Sequence, residues 1–128
     1  DPNEPPKIFA LSTKDPAVLY GRALPWPKTG NPSVQPRRDV GSTVALINGA
    51  PAFWMAPKRN RLITFPGILE QWDLNVQADA IRELIRHHRG HDRALLEEID
   101  GAAALGHPMC DVLQHAGFSM HPTGLMLR

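Results

Sequence analysis

The chain has 128 residues, 42% of them apolar and 21% charged, with a net charge of +1. That length suits one domain, able to bury about two-thirds of its unfolded surface without covalent staples. A single cysteine, Cys110, excludes an internal disulfide and fits a reducing, cytoplasmic setting, and no apolar run reaches the ~18 residues of a membrane span, so no membrane partner is expected.

Asp1-Pro2-Asn3-Glu4-Pro5-Pro6 contains no basic segment leading into an apolar core, so it is not a signal peptide, and it reads as the edge of a longer chain. Eight of the thirteen prolines fall within residues 1–36. Proline fixes φ and removes a donor, which argues against a long helix or a central strand there. The segment 1–42 is therefore expected as an extended lead-in and loop docked on a domain spanning 43–128. Its apolar anchors would be Ile8, Phe9, Leu19, Tyr20, Leu24 and Trp26. Asp15 and Pro16 can start one short helical turn. The stretch "KTGNPSVQPRRDVGS" (28–42) is expected as a loop and as the least ordered part.

From residue 43 the pattern changes. "TVALI" (43–47) is apolar on both faces, as in a covered strand. Asn48-Gly49 is a strong hairpin signal because both positions tolerate positive φ. "AFWMA" (52–56) returns, "PKRNR" turns, and "LITF" (62–65) completes an antiparallel meander. A helix follows, capped by Asp73 or Asn75, with an apolar stripe of Leu74, Ala78, Ile81 and Ile85. Gly90 stands where a left-handed cap belongs. "ALLEEI" (94–99) reads as a fourth strand ending at Asp100-Gly101. Pro108 opens a second helix with an inner face of Val112, Leu113 and Ala116. Gly117 and Phe118 close it in a Schellman motif, and "GLMLR" (124–128) is the last strand. The expected class is α+β: an antiparallel β-meander followed by helix-strand-helix-strand, β-rich and compatible with a barrel-like module.

Charge is unevenly distributed. Residues 22–61 carry seven basic residues against Asp39 alone, a net +6, whereas residues 62–128 carry five arginines against nine acids, a net −4. This predicts one anion-facing surface. The candidate nucleic-acid contacts are Lys58, Arg59, Asn60 and Arg61 on the turn, Arg37 and Arg38 on the preceding loop, and Trp54 as a stacking platform. Trp54 and Phe53 alternate on one strand, so one of them should face the core while the other is open. The alternative is a solvated turn with both aromatics buried.

Other chemistry finds less support. "RELIRHHRGHDR" (82–93) gathers four arginines and three histidines, but cations at a helix C-terminus are favoured by the helix dipole. A zinc site built on His87, His88 and His91 would sit among repelling arginines, and no metal is expected. Cys110, flanked by His107 and His115, reads first as a small apolar helix residue rather than a nucleophile. Glu97 and Glu98 point to opposite faces of a strand and cannot form one carboxylate pair. No phosphate loop, dinucleotide fingerprint or nucleophile elbow is present. No catalytic residue, cofactor or small-molecule ligand is expected in this chain.

Four stretches in order resemble the extreme C-terminal domain of Lhr-type proteins, which are long bacterial DNA helicases of superfamily 2. They are "DPAVLYGRALPWP" (15–27), "VALINGAPAFWMAPKRNRLITF" (44–65), "IDGAAALGHP" (99–108) and "LQHAGFSMHPTGLMLR" (113–128). Lys58-Arg59-Asn60-Arg61 stands in place of that family's glycine-rich tip, and Gly106-His107-Pro108 in place of its Ser-Pro helix start. The resemblance implies a parent that is an ATP-dependent DNA repair helicase of DEAD/DEAH-box type, with ATP and magnesium held in an upstream core. This chain would then be a non-catalytic accessory domain, with single-stranded or forked DNA and upstream domains of the same polypeptide as partners. The alternatives are a structural or protein-interaction domain, or the β-rich part of a DNA glycosylase-like module. Gln71-Trp72-Asp73 superficially matches a catalytic triplet of those glycosylases, but Asp73 is more simply a helix cap.

Overall fold

A computed structural model describes residues 3–87 and 93–127. Its main sheet holds β1 (Ile8–Ser12), β2 (Thr43–Ile47), β3 (Ala50–Met55), β4 (Arg61–Thr64), β6 (Glu98–Ile99) and β7 (Ala102–Ala103), adjacent in that order. All neighbours are antiparallel except β4 and β6, which pair in parallel. A second sheet is ordered β5 (Ala94–Leu96), β9 (Gly124–Leu127), β8 (Ser119–His121). The helices are α1 (Pro66–Leu69), α2 (Leu74–Arg86) and α3 (Cys110–His115). The class is α+β, as expected, and among the described residues neither sheet closes into a barrel.

The meander forms for the reasons legible in its residues. Asn48 and Gly49 both take positive φ, 49° and 83°, as a two-residue type I′ turn requires, and Ile47 pairs with Ala50 across it. Asn48 also clamps the edge strand, its Oδ1 accepting from the Lys7 N–H at 2.8 Å and its own N–H donating to the Lys7 carbonyl. A register shift after Ala45 places Phe53 opposite Ala45 and Trp54 opposite Val44. The two aromatics therefore enter opposite faces of the sheet.

One face carries the principal core: Ala45, Ile47, Phe53, Met55 and Leu62 pack against Ala78, Ile81, Leu84 and Ile85 of α2, Leu113 of α3, and Leu96 and Leu125 of the small sheet. The helix stripe is shifted from the expected one. Leu74, at the first helical position, is 42% exposed, and Leu84 takes the buried place. Asp73 caps α2, its carboxylate accepting from the Val76 N–H at 3.0 Å. The cap proposed at Gly90 lies outside the described residues.

The other face is covered by the lead-in. Val18, Tyr20 and Trp26 meet Val44, Leu46, Trp54 and Phe65. Trp26 stacks between Tyr20 and Phe65, with ring centroids 5.9 and 5.8 Å away. Of the expected anchors, Ile8, Tyr20 and Trp26 dock, whereas Phe9, Leu19 and Leu24 stay exposed. The loop 28–42 is not loose. Thr29 is buried with its hydroxyl on the Asn31 and Val34 carbonyls, Gly30 donates to the Thr64 carbonyl, and Asn31 donates to the Asp100 carbonyl. Local side-chain bonds satisfy the backbone that regular structure leaves unpaired.

"ALLEEI" proves to be two strands in two sheets. The chain breaks at Glu97, where the Glu97 and Glu98 N–H groups both donate to the Asn60 carbonyl. Asp100-Gly101 then turns β6 into β7 with φ of 53° and 77°. Helix α3 begins two residues after Pro108 without a side-chain cap. It ends as expected: Gly117 at φ 112°, with Phe118 N–H to the Leu113 carbonyl and Gly117 N–H to the Gln114 carbonyl.

Candidate nucleic-acid interface

The turn between β3 and β4 is short and internally bonded. Ala56 donates to the Arg61 carbonyl and Arg59 to the Ala56 carbonyl. Arg59 sits at φ 57°, a left-handed position that glycine occupies more easily. Lys58 and Arg61 are exposed, and Arg59 and Asn60 are half-buried. Desolvation lowers the Arg59 pKa from its usual value, although an arginine keeps its charge under ordinary conditions. The Arg61 guanidinium lies 6.0 Å from the centroid of the Trp54 ring, within range of a cation–π attraction.

Two clefts flank this turn. One, of about 370 Å³, is bordered by Asp39, Lys58, Asn60 and Arg61. Arg37 adjoins it through an exposed pairing with Asp39 at 3.7 Å. The other, of about 490 Å³, has Lys58, Arg59 and Arg93 on its rim and Leu95 and Met126 among its apolar lining. The structure thus brings Arg37, Lys58, Arg59, Asn60 and Arg61 together on one side. It diverts Arg38, whose guanidinium donates to the Val18 and Tyr20 carbonyls at 2.7 and 3.0 Å and so holds the lead-in in place.

Trp54 is a correction. It is 1% exposed and Phe53 is 0% exposed, so neither side chain is open to a base. Alternation along a strand opens one side chain only where a single face is covered, whereas both faces of β3 are covered, one by helices and one by the lead-in. Trp54 serves from beneath: its indole N–H donates to the Arg37 carbonyl at 2.9 Å, and its ring lies under Arg61.

Sequence reasoning missed Arg93, Leu95 and Met126. Leu95 pairs with Met126 in register, so both occupy the outer face of the small sheet, while Leu96 and Leu125 pair on the inner face. Nothing local in the sequence ties this sheet to the turn; the tie is the Asn60 carbonyl receiving two N–H groups after β5. The acidic half partly neutralises itself, Arg82 with Asp79 and Arg86 with Glu83, one turn apart on α2. Among the described residues no group of three His, Cys, Asp or Glu could hold a metal ion, and His88 and His91 lie outside them. Also among the described residues, no helix is long and apolar enough to cross a membrane. The Cys110 thiol donates to the Ala104 carbonyl, and the Asp73 carboxylate is committed to its cap.

No family model matches the chain. It is similar to a Mycolicibacterium smegmatis protein described as "Lhr helicase/ probable uracil glycosylase", with 32% identity over 139 aligned positions that cover all of this chain. It is likewise similar to "Lhr helicase/uracil glycosylase" of Escherichia coli, with 31% identity over 117 positions covering 91% of the chain. The chain spans only 9% and 7% of the length of these curated relatives. The resemblance read from its motifs is borne out: the chain corresponds to a small part of a large Lhr helicase, consistent with a C-terminal domain.

Proposed function

We propose that this segment, matched along its length by Lhr helicases, is a non-catalytic accessory domain that contacts DNA through the cationic turn between β3 and β4. The observation that carries the reading is convergence. Lys58, Asn60 and Arg61 border one cleft, Arg37 reaches it from a separate stretch of chain through its pairing with Asp39, and Arg59 lines the neighbouring cleft of the same turn, on a hairpin backed by a buried tryptophan. Cations on a rigid hairpin suit phosphate contact, which positions a nucleic acid without reading its sequence. In this reading the larger polypeptide is an ATP-dependent DNA repair helicase of the cytoplasm. Its ATP and magnesium belong to an upstream core, and neighbouring domains of the same polypeptide are the second partner.

The test is charge reversal of Lys58 and Arg61 to Glu, assayed as binding to single-stranded and forked DNA by fluorescence anisotropy across a salt series. The expected result is weaker binding and a salt dependence flatter by about 0.7–0.9 for each phosphate that the protein no longer neutralises. Unchanged affinity at low salt would remove the DNA-contact reading. A second reading, bracing of neighbouring domains, draws on Phe9, 58% exposed on the edge strand, and on Leu19 and Leu24, 42% and 44% exposed on the lead-in. Apolar side chains left open in this way suit protein contact.

A further inference from the structure

We propose that the groove between the Lys58-Arg59 turn and the outer face of the small sheet binds an unpaired nucleotide of a single-stranded nucleic acid, its phosphates on Lys58, Arg59 and Arg93 and its base against Leu95 and Met126. The inference rests on the DNA-contact reading of the turn and extends it to a ligand class and to three further residues. The groove measures about 490 Å³, within the range of about 300–1,000 Å³ that small-ligand pockets occupy. Its lining is segregated. Lys58 and Arg59 stand on the turn side, Arg93 precedes β5 at the edge of the small sheet, the half-buried side chains of Leu95 and Met126 lie side by side on a strand pair, and no carboxylate lines it among the described residues.

That division of chemistry selects the occupant. A duplex stacks its base faces inward and offers the protein phosphates, sugars and base edges, so an apolar wall beside the cations would have no base face to cover. A single strand exposes both parts of each nucleotide, a charged phosphate and a base with an apolar face. The second cleft differs, because Asp39 lies among its cations and it has no comparable apolar wall. It suits the sugar-phosphate backbone leading away from the groove.

The experiment compares binding of a fluorescein-labelled oligothymidylate and of a duplex of equal length to the full chain, by anisotropy across a salt series. Arg93→Gln is expected to flatten the single-strand salt dependence by about 0.7. Leu95→Asn and Met126→Gln are expected to weaken single-strand binding about fivefold without altering that slope or the duplex affinity, and Met126→Leu to bind as the parent does. Circular dichroism melts of each variant establish that the fold is retained. Should Arg93→Gln, Leu95→Asn and Met126→Gln all bind single strands normally while reversal of Lys58 and Arg61 weakens binding, the groove assignment falls and the DNA-contact reading stands. Should the reversal also have no effect, both fall. Equal losses on duplex and single strand would overturn the single-strand preference. Displacement of the oligonucleotide by a polyglutamate peptide at matched charge would overturn the nucleotide in favour of an acidic polypeptide.

Discussion

Asp100→Ala is expected to remove a large part of the domain's stability, because one buried residue joins three segments and its carboxylate ties two of them. Asp100 is 7% exposed. Its Oδ1 accepts from the Thr64 N–H at 2.8 Å and its Oδ2 from the Thr64 hydroxyl at 2.7 Å, which locks the end of β4 to the β6–β7 turn. The Asp100 carbonyl accepts from Asn31, and a Cβ placed on Gly30 would lie 2.1 Å from Asp100 Oδ2, so the loop is pressed directly onto the carboxylate. His107 closes the remaining side, with Nε2 3.8 Å from Oδ2. Hydrogen bonds to a charged group contribute about 1.5–3 kcal/mol each, and an orphaned buried donor costs about 1–3 kcal/mol. Two such bonds share one acceptor group, so they do not add fully. Alanine must also hold φ near 53°, where aspartate is better tolerated, at about 1 kcal/mol. The sum is about 4 kcal/mol, a substantial share of the roughly 5–15 kcal/mol that holds a domain folded. Urea denaturation followed by tryptophan fluorescence measures it as a lower midpoint at constant slope. Asp100→Asn keeps the backbone preference and one acceptor oxygen, so it should lose about half as much. A loss below about 1 kcal/mol for Asp100→Ala would refute the account of Asp100 as the joint of the three segments.

Two further variants probe the helix start and the turn. Asp73→Ala should cost about 1 kcal/mol in the same denaturation assay through loss of the bond to the Val76 N–H, and leave DNA affinity unchanged. A large effect on binding would instead give Asp73 a functional role. Arg59→Gly should relieve a left-handed backbone position and leave stability equal or higher by up to about 1 kcal/mol, while weakening binding in the anisotropy assay. A clear loss of stability would show that interactions of the Arg59 side chain outweigh its backbone strain.

The parts of the fold legible in sequence were those set by neighbours. The Asn48-Gly49 hairpin, the Asp73 cap and the Gly117-Phe118 ending each depend on a few consecutive residues whose φ values or side-chain oxygens have one natural use. Most of what escaped was set by distant partners. β1 exists because Asn48 and β2 receive it. β7 escaped although its cause is local, Asp100-Gly101 turning it straight back onto β6. Asp-Gly was read as a stop, since strands of two residues carry no alternation to mark a return. The split of 94–99 is imposed by the Asn60 carbonyl, which captures two successive N–H groups and sends the chain to a different sheet. The candidate site divides in the same way. Lys58, Asn60 and Arg61 could be placed on one turn from spacing alone. The burial of Trp54, the diversion of Arg38 and the arrival of Arg93 needed the third dimension.

Under the proposed DNA-contact role, the positions of Trp54 and Arg59 would together favour this turn over other basic stretches for holding an anion. A cation on a loose loop loses rotamer and backbone freedom when it binds, at about 0.5–1.5 kcal/mol for each ordered side chain. Here much of that ordering precedes any ligand. Trp54 is fixed in the core, its indole N–H bound to the Arg37 carbonyl, and it presents its ring to Arg61. One buried side chain thereby positions the backbone at Arg37 and the guanidinium at Arg61, which belong to segments 24 residues apart in sequence. Arg59 is held in a strained conformation by a turn closed through the Ala56 carbonyl. Strain of this kind persists where surrounding structure overdetermines it, and such positions cluster at ligand sites. The acids of α2 engage their own arginines one turn away, which reduces their pull on a cationic edge elsewhere. The lead-in and α2 cover opposite faces of β3, and that double cover turns a solvent-exposed loop into a preorganised one.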